Sequence, residues 1–210
     1  MQLQAISLSA VKSLECLGRS AMTGICKQSV AGPVTVTREG IIGDSQADRK
    51  NHGGIDKAVY AYATENYRYW EEQLGKPLPY GQFGENLSVS GMTDEQVHIG
   101  DIFRIGAVEV QVTQPRVPCF KLGMRMEDAG FVRRFHHSGR VGFYLRVLQE
   151  GFLSVGDTIE RLHADAGKLT IAEAMLALHK NPRQAEIIAR ALAIPALSLA
   201  WRDSLMKKQP

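Results

Sequence analysis

The chain has 210 residues, of which 44% are hydrophobic and 22% charged, and its formal net charge is +3. This composition excludes a disordered chain, and the mild positive charge suits an anionic small molecule while being too weak to argue for a nucleic-acid binder. The three cysteines, Cys16, Cys26 and Cys119, are odd in number and lack C-x-x-C spacing, which supports neither a disulfide framework nor a cysteine-rich zinc site. No apolar run approaches the roughly 18 residues of a bilayer span, and residues 1–10 lack the pattern of a signal peptide. These features predict a reduced, cytoplasmic protein with no membrane association. Its length fits one substantial domain, or one with a small appendage.

Taken in order, residues 3–8 and Val34–Thr37 alternate as strands, with Ala31-Gly32-Pro33 as a turn between the two regions. Residues 23–27 read as a further short strand carrying Lys27. A Gly-Asp pair recurs at 43–44, 100–101 and 156–157, which is turn chemistry, since Gly permits positive φ and Asp caps its own backbone. The last two pairs lead into predicted strands Ile102–Ile105 and 158–162, and residues 108–112 and 143–148 add two more. A helix is predicted over Thr64–Leu74, with Thr64 as N-cap, Tyr67, Trp70 and Leu74 on one face, and Gly75 then Pro77 as the stop. A second is predicted over 124–137, with Phe131 and Phe135 on one face. Its basic end, Arg133, Arg134, His136 and His137, is open to two readings: an anion-binding patch or a solvated helix end complementing the dipole. Many short strands between Gly-rich turns predict a mainly β fold, barrel or sandwich. After Leu162 the texture becomes helical. Thr170 with Glu173 forms a capping box, Asn181-Pro182 with Gln184 forms a second cap, and Pro195 opens a third helix bearing Leu197, Trp201 and Leu205. The division expected is a β domain over 1–163 and an all-α three-helix domain over 168–208.

Three stretches carry chemistry. Gln114-Pro115-Arg116-Val117-Pro118-Cys119-Phe120-Lys121-Leu122 follows a predicted strand, and its prolines are expected to end the pairing and deliver Cys119 on a rigid turn. Arg116 and Lys121 supply fixed positive charge that favours the thiolate, which is both nucleophile and metal ligand. The competing reading is a buried cysteine filling an apolar hole. The second stretch, residues 48–60, holds the glycine pair Gly53-Gly54 between His52 and Lys57. Its backbone N–H groups suit anionic oxygens; the alternative is a glycine turn with a solvated basic rim. In the third, Phe83-Gly84-Glu85-Asn86-Leu87, Asn86 either turns the chain or offers an amide to a heterocycle. No P-loop, H-E-x-x-H, Ser–His–Asp order or G-x-G-x-x-G after a strand is present.

Taken together and in order, these stretches, with Gly24-Ile25-Cys26-Lys27, residues 43–48 and Gly100-Asp101-Ile102-Phe103, resemble the MOSC family, named for the C-terminal domain of molybdenum cofactor sulfurase. The helical tail resembles the three-helix domain of its bacterial YiiM-like subgroup, associated with resistance to 6-hydroxylaminopurine. The resemblance implies a MOSC β-barrel that binds molybdenum cofactor and reduces N-hydroxylated bases, N–OH to N–H. It implies Cys119 as metal ligand, and Arg116, Lys57, Lys27 and Lys121 as cations balancing the cofactor. It further implies His52, Gly53 and Gly54 at the phosphate, Asn86 at the pterin edge, and His137 as a looser candidate for substrate contact. Catalysis would rest on Cys119, Arg116 and Lys57. Because the chain lacks an Fe–S cysteine set or a recognisable flavin motif, a separate flavoprotein is expected as transient electron donor. No stable nucleic-acid partner is expected, and the chain would be a monomer or homodimer. Two alternatives stay open: a sulfur carrier or transferase using a Cys119 persulfide, and a non-catalytic carrier of the cofactor.

Overall fold

The first strand decides the architecture, because it is paired at both of its edges. In the computed structural model, which describes residues 1–16, 18–48 and 53–208, β1 (Gln2–Leu8) buries Leu3, Ala5 and Ile6. A hairpin, β2 (Lys12–Cys16) and β3 (Arg19–Thr23), follows, then the two-residue β4 (Gln28–Ser29) on the edge of β1. The strands β5 (Val34–Thr37) and β6 (Gly40–Ile41) form a small sheet with β12 (Gly151–Leu153). The main sheet runs β13 (Ile159–His163), β9 (Ile102–Ile105), β10 (Val108–Pro115), β11 (Phe143–Gln149), β7 (Val59–Ala63), β8 (Leu87–Ser90), β1. Only β7 and β8 pair in parallel among these neighbours. The amide of Leu3 donates to the Asp157 carbonyl at 3.0 Å, Gly156 N donates to Leu3 O at 2.8 Å, and Ile159 N to Met1 O at 3.0 Å. These bonds join the last strand to the first and close the sheet into a barrel, which removes its edges.

The helix α1 (Thr64–Leu74) covers one end of the barrel with Tyr67 and Trp70. Trp70 stacks on Phe135 at 5.7 Å between centroids and donates its indole N–H to the Tyr62 hydroxyl at 2.9 Å. Phe83 and Phe131 complete this fully buried aromatic group. The extent of α1 and its left-handed cap at Gly75 (φ 66°) agree with the sequence reading. Its N-cap is Ala63 rather than Thr64, because the chain leaves the buried strand β7 directly into the helix.

Four other sequence expectations change. Of residues 23–27, Thr23 ends β3 and 24–27 form a bend, not a strand: Lys27 N donates to Ile25 O at 2.8 Å, and a Cβ at Gly24 would lie 2.0 Å from the Ser45 carbonyl oxygen. The bend turns Lys27 inward. The strand β10 runs past the predicted 108–112 and ends at Pro115, which is itself paired, opposite Phe143. The predicted helix over 124–137 is split into α2 (Phe120–Arg125) and α3 (Phe131–His137), because Glu127 takes a left-handed conformation (φ 56°) between them. The hairpin β2–β3 was not expected.

The tail contains α4 (Ile171–Met175), α5 (Gln184–Ala193) and α6 (Leu199–Met206). The Thr170 hydroxyl accepts from Glu173 N at 3.0 Å, as its capping box predicts. The other two helices begin later than predicted. Asn181 instead accepts from Arg183 N at 2.9 Å in a turn of its own, and Ser198, not Pro195, introduces α6. The fold is thus a mainly β barrel with a C-terminal helical unit. Leu169, Ile171, Ile187, Trp201 and Leu205 belong to one apolar cluster with the barrel residues.

Asp94 ties these parts together. Its buried carboxylate accepts from Asn66 Nδ2 at 2.6 Å, Val141 N at 3.0 Å and Gly142 N at 2.7 Å, while its carbonyl accepts from Ala172 N at 2.9 Å. Burial pushes its carboxyl up from 3.8 to about 6, with the three donors opposing that rise. The folded protein therefore holds this proton more tightly than the unfolded chain. Its contribution is fully present below pH 4 and is lost as pH rises to about 6. Measured against Asp94→Asn, which does not titrate, wild-type unfolding free energy should fall by on the order of 3 kcal/mol across that window and then level off. A difference that stays flat with pH would contradict the assignment.

Candidate functional site

An open cleft of about 610 Å³ gathers residues from seven parts of the chain. The bend after β3 supplies Gly24 and Lys27, and the 45–48 segment lines one wall. A 3-10 turn, Ile55–Lys57, presents Lys57, and β7 presents Tyr60. Asn86 enters just before β8, Tyr144 from β11, Arg116 with Cys119 from the link between β10 and α2, and Lys121 from the first turn of α2.

Lys27 is almost fully buried, and its Nζ lies 2.5 Å from Asp44 Oδ1. Burial lowers its pKa, while the Asp44 charge and hydrogen bond act in the opposite sense. Asp44 also accepts from Ser9 N at 3.0 Å and Asn86 Nδ2 at 2.9 Å. Asn86 Oδ1 in turn accepts from Tyr60 N at 3.1 Å. The Asn86 amide is therefore engaged at both ends within the protein, and it braces the wall where the sequence offered it as a reader of a heterocycle.

Arg116 is 6% exposed, with its backbone N–H donated to Gly142 O at 3.0 Å. Its guanidinium lies over Tyr60 at 5.1 Å and Phe135 at 5.5 Å, and Nη1 is buried without a hydrogen-bond partner among the described residues. Such a donor is costly unless something accepts from it. Cys119 and Tyr144 both interact electrostatically with this guanidinium. Cys119 is partly exposed and occupies the N-cap position of α2. Lys57 is half-buried; desolvation lowers its pKa against the pull of Asp56 and Asp48. Lys121 donates to Met22 O at 3.0 Å, which holds the hairpin β2–β3 against α2 at the rim.

The structure thus brings together Cys119, Arg116, Lys27, Lys57, Lys121 and Asn86. Gly53 and Gly54 stand just before the turn that carries Lys57, outside the described lining. His52 lies outside the described residues. His137 is elsewhere: its Nδ1 lies 2.9 Å from the Arg133 carbonyl and its ring stacks on His179 at 5.3 Å. Sequence reasoning missed Tyr60 and Tyr144, whose hydroxyls burial pushes up. It also missed Asp44, although that residue sits in one of the quoted motifs.

Among the described residues, no three His, Cys, Asp or Glu side chains converge as a metal cage. What the described lining offers instead is one thiol, a buried guanidinium with a donor unmatched among the described residues, three lysines and the single carboxylate of Asp48. That donor set fits an anionic, sulfur-liganded metal group that brings most of its own coordination shell. A barrel with such a cleft is a binding barrel for an anionic cofactor or substrate.

Comparison with known proteins agrees with that class. The MOSC domain model matches residues 48–160, and the model for the YiiM-like 3-alpha helix domain matches residues 169–208. The chain belongs to the MOSC domain family and carries the YiiM-type helical tail. YflK of Bacillus subtilis is 42% identical over 205 residues, covering 98% of this chain and 93% of that one. The crystal structure of YiiM from Geobacillus stearothermophilus superposes with a TM-score of 0.83 at 34% identity, covering 99% of this chain and 98% of that one. A protein of Gibberella moniliformis named "Reductase" is 34% identical over 187 residues, which is 87% of this chain and 33% of its own length. No helix among the described residues is long and apolar enough to cross a membrane.

Proposed function

We propose that this protein is a molybdenum-cofactor-dependent reductase that converts N-hydroxylated compounds such as 6-hydroxylaminopurine from N–OH to N–H. The observation that carries this reading is the buried Arg116 guanidinium, with an Nη1 donor unmatched among the described residues, sharing a cleft with Cys119. The name of the fungal relative agrees with the redox class. When bound, the cofactor would supply the two-electron chemistry at molybdenum. The chain's own part is to hold and orient. Cys119 Sγ would be the protein ligand to the metal, and Arg116 and Lys27 would balance the anionic group at the cleft wall. Reduction of N–OH to N–H consumes two electrons and two protons and releases one water. Lys57 Nζ, whose proton burial loosens, is the donor this chain offers to the departing hydroxyl. The electrons come from a separate flavoprotein that docks transiently.

The test is molybdenum per chain, in protein from a cofactor-competent host, together with turnover of 6-hydroxylaminopurine by a chemical reductant. Near-stoichiometric metal with turnover is the expected result. Absence of molybdenum with sulfane sulfur trapped on Cys119 would replace this reading by sulfur transfer. Metal without turnover of any N-hydroxylated compound would reduce the protein to a cofactor carrier.

A further inference from the structure

The helical tail touches the barrel where two cleft residues are anchored. Ser198 is fully buried, and its hydroxyl donates to Gln114 Oε1 at 2.6 Å. The same hydroxyl accepts from Trp201 N at 3.1 Å, which caps α6, and Ser198 N donates to Thr113 O at 3.2 Å. One residue on, Leu199 N donates to Asp56 Oδ2 at 3.2 Å. The other carboxylate oxygen of Asp56 receives the Arg146 guanidinium, Nε at 2.9 Å and Nη2 at 2.6 Å. Thr113 Oγ1 completes the tie by donating to Asp56 O at 2.6 Å.

Gln114 stands two residues before Arg116, and Asp56 immediately precedes Lys57. Both segments that deliver these cations into the cleft are therefore fastened to one turn of the tail. We propose that the first turn of α6 is a positioning element for the cleft, with Ser198 and Leu199 setting the placement of Arg116 and Lys57. This extends the reading of the cleft as the cofactor site and assigns the three-helix unit a part in it. Two backbone donors, at Ser198 and Leu199, and the Ser198 hydroxyl carry the connection. Neither residue lines the cleft itself.

The chemistry permits a selective cut. Leu199 is the first residue of α6, where proline is tolerated because that N–H has no partner within the helix. Ser198 already has the extended backbone (φ −58°, ψ 146°) that a following proline demands. Leu199→Pro thus removes the donor to Asp56 and keeps the helix. Ser198→Ala removes the bond to Gln114, and Ser198→Thr retains a hydroxyl and serves as the rescue.

The experiment is hydrogen–deuterium exchange on the full-length, cofactor-free chain. In Leu199→Pro and Ser198→Ala, amides of 53–60 and 112–121 should exchange about five- to tenfold faster, the loss expected for one such bond. Those of β1 and β8 should be unchanged, and Ser198→Thr should return the wild-type pattern. Uniformly faster exchange, or none, would overturn the proposal. Molybdenum content of the same variants separates the two ideas. Wild type lacking metal would strike at the cofactor reading, while the exchange pattern would still decide the positioning role.

Discussion

Cys119→Ser, expressed in a cofactor-competent host, is expected to retain less than about one tenth of the wild-type molybdenum while folding at least as well. On the proposed function, the loss follows from replacing a soft thiolate with a hydroxyl at the protein ligand to the metal. Altering groups that merely support metal ligands already costs 10- to 100-fold, so about tenfold is a lower bound. The folding side is equally specific. Cys119 occupies the N-cap position of α2 with extended backbone (φ −120°, ψ 171°) and makes no side-chain capping bond. Serine is among the best residues there, so the variant should be unchanged or more stable by up to about 1 kcal/mol. Elemental analysis and a thermal melt of cofactor-free chains check both halves. Metal retained in the serine variant would show that Cys119 is not the ligand.

Asp44→Ala should be the costliest single substitution around the cleft, at about 3–5 kcal/mol of unfolding free energy. The reason lies in what it strands. Lys27 Nζ loses its partner at 2.5 Å, and the donors of Ser9 N and Asn86 Nδ2 lose theirs. An unpaired buried ammonium costs far more than the ion pair itself contributes. Adding Lys27→Met should therefore recover a large part of the loss, leaving the two unmatched donors as the remainder. Urea unfolding of both variants gives the comparison. A single-variant cost below about 1 kcal/mol would mean that the Lys27 ammonium finds water once Asp44 is gone.

The elements that sequence reading recovered are those with one buried face. Val34–Thr37 alternates between buried and half-buried positions, and Thr64–Leu74 turns Tyr67 and Trp70 inward at helical spacing. The hairpin β2–β3 escaped because it is exposed on both faces along most of its length and so has little apolar alternation to detect. The break between α2 and α3 escaped for a different reason: Glu127 adopts a left-handed conformation that its residue type does not announce. In the site, Arg116, Cys119 and Lys57 stood out from motif order: Arg116 and Cys119 each follow a proline, and Lys57 comes three residues after Gly54. Asn86 was legible as important, but its partners at residues 7, 44 and 60 are long-range and invisible in one dimension. Tyr144 gave no signal at all. It sits on an alternating strand beside the buried Leu145, and only the closed barrel turns its ring toward the cleft.

The seam between Leu3 and residues 156–157 has a consequence for the order of assembly. The first strand leaves the ribosome early and meets β4 at its far end and β8 along its other edge, but Leu3 finds residues 156–157 only after more than 150 further residues have been made. Until then one side of β1 and the preceding strands of the sheet present open edges, the surfaces most prone to pair with other chains. Barrel closure is a late, non-local event, and folding of this kind is slow. The tail helix whose first turn bonds to Gln114 and Asp56 is synthesised later still, so those two bonds form after the barrel strands have been made.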